Sequence, residues 1–168
     1  LGFIMLGLGF DPVWDRDQIN WMPKNRYEIM KNHMPKVGDL GIDMMIRTCT
    51  IQVNLDYSSE KDMVKKFQTS LALQPIATAL FSNSPFIKGH LSEFLSLRAY
   101  TWCDTDHQRS GFPEIVFSSN FGYELWAEYL LSVPMYFIFD KGKYHDTSGK
   151  SFSKFMEGKL EGFEGKFA

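Results

Sequence analysis

From Arg47 to Asp56 the chain alternates without a break. Thr48, Thr50, Gln52, Asn54 and Asp56 fall on one side, and Cys49, Ile51, Val53 and Leu55 on the other. A period of two predicts a β-strand with one apolar and one wholly polar face. The polar face carries short hydroxyl, amide and carboxylate groups in place of the usual Lys and Glu. Such a row suits gripping a ligand or metal, and it also fits an exposed sheet face. Upstream, the apolar run 2–10 predicts a buried strand in which Gly7 and Gly9 permit close backbone approach. Residues 11–24 read as a loop. Residues 25–34 predict a helix with Tyr27, Ile29, Met30 and Met34 roughly on one side, ended by Pro35 and Gly38. The apolar segment Gly41 to Ile46 leads into the polar-faced strand.

A long helix is predicted from about residue 60. Ser59 with Asp62 resembles a capping box, and Met63, Phe67 and Leu71 at i, i+4 and i+8 predict its buried stripe. Pro75 is expected to kink or restart it before Ile76–Leu80. Residues 82–113 read as loop-rich, 121–131 as a helix, Val133 to Phe139 as a strand and Ser151 to Glu157 as a last helix. The mixture, with two-sided patterning in the best strand, predicts an α+β fold built on a largely antiparallel sheet.

Composition narrows the class. At 168 residues, 44% hydrophobic and with fifteen Phe and four Trp, the chain has enough apolar material for one folded core. A net charge of −2 gives no basic field for nucleic acid or an anionic membrane surface. No apolar run approaches the roughly 20 residues of a membrane helix. The two cysteines, Cys49 and Cys103, make no disulfide framework, and a cytoplasmic setting is the expectation. The chain opens on Leu1 inside a strand-like run and closes on Lys166-Phe167-Ala168 with no terminating signal. This predicts that residues 1–168 form a single partial catalytic domain of a longer protein.

Short motifs supply little. The scattered His33, His90, His107 and His145 do not match zinc-ligand spacing, and Gly7-Leu8-Gly9 lacks the rest of a phosphate loop. Asp104-Thr105-Asp106-His107 fits either a metal site or a turn whose Asp side chains bond local backbone. Arg26, Arg47 and Arg98 are candidates for gripping carboxylates, because the guanidinium fork matches carboxylate geometry. Arg26 stands at a helix start, where the dipole disfavours a cation.

Taken together, longer segments are more specific. RYEIMKNHMPKVGDLGIDMMIRTCTIQVNLDYSSEKDM (26–63), LALQPIATALFSNSPF (71–86), the Trp102–Asp106 and Arg109-Ser110-Gly111 cluster, VPMYF (133–137) and KYHDTSGKSF (143–152) resemble the proteobacterial and plant type of glutamate–cysteine ligase. The resemblance covers about residues 2 to 160. It implies ATP-dependent ligation: the γ-carboxylate of L-glutamate is phosphorylated and the amine of L-cysteine displaces phosphate, the first step of glutathione biosynthesis. It also implies a glutamine-synthetase-like catalytic fold, incomplete here, whose antiparallel strands hold Mg²⁺.

On that resemblance, Gln52 and Asn54 face metal or phosphate. Arg98 and Tyr136 hold the carboxylate of cysteine, and Arg26 and Thr50 serve glutamate. Trp102, Asp104, Thr105, Asp106 and Arg109 form a loop lining the site. Thr147 and Gly162 stand where plant members are expected to carry a redox-sensitive cysteine pair. Such a piece alone is expected to be inactive. Another carboxylate–amine ligase, or a non-catalytic amino-acid-binding homologue, remains an alternative.

Overall fold

The computed structural model describes residues 2–164; the closing Lys166-Phe167-Ala168 lies outside them. Six α-helices and two small antiparallel hairpins make up the regular structure: α1 (Asn25–His33), α2 (Gly41–Arg47), α3 (Glu60–Leu80), β1 (Phe86–Ile87), β2 (His90–Leu91), α4 (Leu97–Cys103), α5 (Tyr123–Ser132), β3 (Phe137–Asp140), β4 (Lys143–Asp146) and α6 (Phe152–Met156). Mixed helices and antiparallel strands agree with the α+β expectation.

α3 follows its sequence signals. Ser59 Oγ accepts the Asp62 N–H at 3.2 Å, while the Asp62 carboxylate reaches back to the Ser58 N–H at 3.0 Å. The two orphan donors of the first turn are thus satisfied one residue off the usual capping box. Met63 is buried, and Phe67 and Leu71 pack with it against Val116, Phe121 and Trp126. The Phe67 ring meets Trp126 edge-on at 4.8 Å. α3 runs through Pro75 without restarting. A proline removes only one backbone N–H, and the bonds on either side carry the helix past it.

A second cluster, Met135, Ile138, Phe155 and Leu160 with Phe152 and Phe163, joins the β3–β4 hairpin to α6. Lys141 (φ +48°) and Gly142 (φ +79°) are both left-handed, as a two-residue hairpin turn requires. Paired structure continues irregularly before β3, with Met135 N–H on Lys150 O and Gly149 N–H on Met135 O, both at 2.9 Å. The strand expected from Val133 therefore begins in regular form only at Phe137.

Three expectations are corrected. The loop-rich stretch 82–113 contains α4, capped by Ser96, whose Oγ accepts the Ala99 N–H at 3.3 Å. The expected buried strand at 2–10 is exposed from Gly2 to Gly7, with Ile4 87% accessible. The polar-faced strand is a helix up to Arg47 and an exposed irregular segment after Thr48, with Ile51 93% and Val53 76% accessible. A strand persists only where a neighbour takes its N–H and C=O groups. These two runs meet at one place: Phe10 pairs with Thr48, Cys49 N–H bonds Gly9 O at 3.0 Å, and Asp11 N–H bonds Arg47 O at 2.7 Å. Beyond it neither run has a strand partner among the described residues, so the apolar side of 49–55 stays uncovered.

Candidate active site

α4 begins beside that crossing. Ser84, 3% accessible, pairs with Ser96: its N–H bonds Leu95 O at 3.1 Å and its carbonyl accepts Leu97 N–H at 3.0 Å. Its hydroxyl then accepts the Arg98 N–H at 3.2 Å. Arg98 extends from this base and donates Nε–H to Cys49 O at 2.9 Å. Neither Nη group of Arg98 has a hydrogen-bond partner among the described residues. The guanidinium is thus anchored by one edge, with its two-pronged end uncommitted. Thr50 follows Cys49 directly, so Arg98 and Thr50 share one corner. Thr50 Oγ donates to Ile51 O at 3.1 Å.

Farther along the same run, Gln52 Nε2 donates to Asn54 Oδ1 at 2.7 Å. The two amides therefore lie together, as the alternation predicts, and both are exposed. They are two neutral amides, and no group of three or more His, Cys, Asp or Glu side chains that could hold a metal occurs among the described residues. The donors present do not fit an Mg²⁺ centre, which requires several hard oxygen ligands including carboxylate.

Tyr136 belongs to a different environment. Its hydroxyl donates to the Oδ2 of Asp106 at 3.1 Å, and the Arg109 guanidinium lies over its ring at 3.9 Å. Arg109 pairs with the same Asp106 oxygen and donates Nε–H to Pro134 O and Nη2–H to Met135 O, each at 2.9 Å. His33, at the end of α1, packs edge-on against Tyr136 with ring centroids 5.3 Å apart. Burial, then the Arg109 charge, lowers the His33 pKa below its ordinary value. The imidazole is therefore neutral at pH 7. Its 3.8 Å approach to Asp106 is a polar contact rather than an ion pair. Arg109 Nη1 stands 3.4 Å from His33 Nε2, an approach that becomes a hydrogen bond only in the tautomer whose Nε2 carries no proton. Burial foremost, and the Asp106 carboxylate beside it, push the Tyr136 phenol up to about 12.

This arrangement turns part of the expected lining loop inward. Thr105 and Asp106 are buried, at 2% and 1% accessibility, and Arg109 straps their turn to the approach to β3. Asp104 accepts the Asp39 N–H at 3.3 Å, and Asp106 Oδ1 accepts the Gln108 N–H at 3.0 Å. Asp106 thus makes the local bond of an Asp turn, whereas Asp104 reaches across the fold to Asp39. Of the five lining candidates, Trp102 and the Asp104 side chain, 38% and 37% accessible, are the ones that reach solvent most. The Arg26 side chain has no hydrogen bond among the described residues and stacks on its neighbour Tyr27, 5.4 Å from the ring centroid. The structure brings Arg98 and Thr50 together and Gln52 beside Asn54. Tyr136 joins Asp106 and Arg109, and no hydrogen bond or ion pair among the described residues links it or Arg26 to Arg98. An open groove of about 500 Å³ beside Arg109 is lined by Trp126, Tyr129, Leu130, Val133 and Phe152. It is apolar and includes none of Arg26, Thr50 or Arg98.

Sequence reasoning singled out Arg47 but missed His33, Ser84 and the ion cluster in which buried Asp43 joins buried Arg47 to the partly exposed Arg16. Asp43 accepts Arg16 Nη2 at 2.6 Å and Arg47 Nη1 at 3.2 Å, and Arg47 lies over the Phe10 ring at 4.5 Å. The signal for the Asp43–Arg47 pair was available as i,i+4 spacing once a helix is recognised at 41–47.

These positions fall within a region that matches a known family model, glutamate–cysteine ligase family 2 (GCS2), over residues 1–161. The chain belongs to this family. It is 57% identical over 160 residues to the chloroplastic glutamate–cysteine ligases of Brassica juncea and Arabidopsis thaliana. It is 58% identical to glutamate–cysteine ligase B, chloroplastic, of Oryza sativa subsp. japonica. In each case the match covers 95% of this chain and 31–32% of the relative, so the chain spans about a third of the length of these ligases. The cytoplasmic expectation is overturned by these glutamate–cysteine ligases, all of which are chloroplastic. No helix among the described residues is long and apolar enough to cross a membrane.

Proposed function

We propose that this chain is the substrate-binding part of a plastid glutamate–cysteine ligase with a glutamine-synthetase-like catalytic fold. In that reaction the γ-carboxylate of glutamate is activated as an acyl phosphate at the expense of ATP. The amine of cysteine then attacks the acyl carbon, forming the amide bond as phosphate leaves with the C–O electron pair. The likeness to ligases along 95% of the chain carries this reading.

The residues of the chain contribute binding and orientation. Arg98, anchored through Nε and with its Nη groups uncommitted, grips the carboxylate of an amino-acid substrate, cysteine on the division adopted here. Tyr136 backs the same substrate from its Asp106–Arg109 support. Thr50 and Arg26 serve glutamate. The second N–H of the Gln52 amide and the Asn54 Nδ2 group have no partner among the described residues and can donate toward phosphate oxygens. Mg²⁺ is assigned no ligand set within this chain, and no step above depends on one.

The test uses the full-length ligase. Phosphate release is measured with glutamate and ATP while cysteine is replaced by other amines. Release supported by cysteine alone agrees with the reading. Release supported by another amine and absent with cysteine overturns the substrate while leaving the ligase class. The isolated 168-residue chain is expected to show no turnover.

A further inference from the structure

Two serines of different origin close the N-terminus of α4. The N–H groups of Leu97, Arg98 and Ala99 have no acceptor within the helix. Ser96, the helix's own N-cap, takes the Ala99 N–H at 3.3 Å. Ser84, from the segment 81–85, takes the other two. Its carbonyl accepts the Leu97 N–H at 3.0 Å, and its hydroxyl accepts the Arg98 N–H at 3.2 Å. Ser84 is 3% accessible and lies where α4 meets the crossing of the two irregular runs. A β-carbon on buried Gly9 would stand 3.3 Å from Ser84 Oγ, and Gly9 O accepts the Cys49 N–H at 3.0 Å. Cys49 O in turn accepts the Arg98 Nε–H at 2.9 Å. Arg98 is therefore held at two points, at its backbone N–H by Ser84 and at Nε by Cys49. Both anchors rest against Gly9, and the fork beyond Nε takes its direction from the line between them.

We infer that Ser84 is a positioning residue for Arg98: its hydroxyl fixes the backbone point from which the guanidinium reaches Cys49 O and turns its fork outward. This rests on the reading of Arg98 as a carboxylate grip and assigns the residue that sets the aim of that grip. Ser84 and Ser96 differ in what they attach. The Ser96 hydroxyl bonds three residues along its own helix and moves with it. The Ser84 hydroxyl bonds fourteen residues along the chain and ties the helix to the crossing. Without that hydroxyl the Arg98 N–H must find another acceptor, and the stem shifts relative to Cys49 O. The carbonyl bond to Leu97 remains, so α4 stays docked and the change is one of aim. Ser84 acts through Arg98, so its effect belongs to the binding of one substrate and not to turnover at saturation.

The experiment is made in the full-length ligase with Ser84→Ala, Ser96→Ala and Arg98→Ala singly, and with Ser84→Ala and Arg98→Ala combined. KM is measured for glutamate and for cysteine, with kcat and thermal unfolding. Arg98→Ala identifies the substrate concerned. Ser84→Ala is expected to raise that same KM about fivefold, the size of one lost capping bond. The other KM and kcat are expected to stay within about twofold. Ser96→Ala removes a cap of the same helix, so it is expected to lower the unfolding temperature comparably and to leave both KM values within about twofold. In the combined variant the KM is expected to equal that of Arg98→Ala, because residues that act through one another do not add. Ser84→Cys exchanges the hydroxyl for a weak acceptor of similar shape. It is expected to move the same KM in the same direction and serves if Ser84→Ala does not fold. If Arg98→Ala raises a KM that Ser84→Ala and Ser84→Cys leave at the wild-type value, the positioning role is overturned while the Arg98 reading stands. The role is equally overturned if Ser96→Ala raises that KM as much as Ser84→Ala, or if Ser84→Ala raises it further once Arg98 is gone. If Arg98→Ala moves neither KM, the Arg98 reading fails and takes the role of Ser84 with it.

Discussion

Arg98 donates its Nε–H to the carbonyl of Cys49 at 2.9 Å, which places a cation one residue from Thr50 on the polar run. The bond uses the edge of the guanidinium that a carboxylate does not need and leaves the fork. Removing the fork costs the charge-assisted hydrogen bonds it makes with substrate. At about 1.5–3 kcal/mol, this loss corresponds to a KM raised roughly tenfold to a hundredfold in the full-length Arg98→Ala enzyme. Arg98→Lys is expected to recover little of it, because an ammonium cannot hold the Cys49 carbonyl and present two parallel donors. Steady-state kinetics with each amino acid varied in turn provides the check. Unchanged KM values for both would remove Arg98 from the site.

Asp43 supports the same corner from behind. It balances Arg47, 3% accessible, and receives Nε and Nη2 of Arg16 at 3.1 and 2.6 Å. Arg47 ends α2 and its carbonyl takes the Asp11 N–H, so the pair fixes where the polar run departs. Two nitrogens of Arg47, Nε and Nη2, already lack hydrogen-bond partners among the described residues. Asp43→Ala would leave that buried cation without any carboxylate, and a loss of about 3–5 kcal/mol is expected. Arg16→Ala, which removes a partly exposed partner, is expected to cost no more than about 1 kcal/mol. Denaturant midpoints of the two variants decide this. Equal losses would mean that burial of Arg47 does not set the energetics of the cluster.

The readability of the sequence divides along the same line as the packing. α3 was legible because its cap, Ser59, and its stripe, Met63, Phe67 and Leu71, are local signals that its own core uses. α4 was not, because its start depends on Ser84 pairing with Ser96 across eleven intervening residues of loop and hairpin. The alternation at 47–56 correctly placed Gln52 beside Asn54. It could not show that the run lacks strand neighbours among the described residues, since a strand is a property of two segments. The turn at Asp106 was legible from its residue types. The inward direction of Asp106 was not, because Arg109 and Tyr136 come from the loop beyond it and from the approach to β3.

His33 gives the support of Tyr136 an acid limit. Its pKa is lowered in the folded state by burial and by Arg109, so the unfolded chain binds the proton more readily. The stability that follows is complete above the unfolded value of about 6.5 and falls as pH drops below it toward the folded pKa. His33→Gln, which stays neutral, is expected to flatten this part of the profile. Lys36 and Asp146 also face the imidazole electrostatically, so Lys36→Met is the control for their influence. Denaturant midpoints of wild-type and His33→Gln enzyme between pH 7 and about 5 test the assignment. Parallel curves would show that His33 is not the group responsible.

Tyr136 gives the opposite limit. Its folded pKa of about 12 lies above the ordinary value of 10, with burial as the main cause and the Asp106 carboxylate as the next. The folded protein therefore keeps a proton that the unfolded chain releases. Stability is complete below about pH 10 and declines as pH rises from there toward about 12. Tyr136→Phe removes this decline, so its stability is expected to change less between about pH 9 and 11 than that of the wild type. Asp106→Asn keeps the ring in place but removes the charge that repels tyrosinate, which makes the decline shallower. It also leaves Arg109 without its carboxylate, so the whole curve is expected to lie lower. A Tyr136→Phe profile that follows the wild type through the alkaline range would show that the phenol proton is not held by its contact with Asp106.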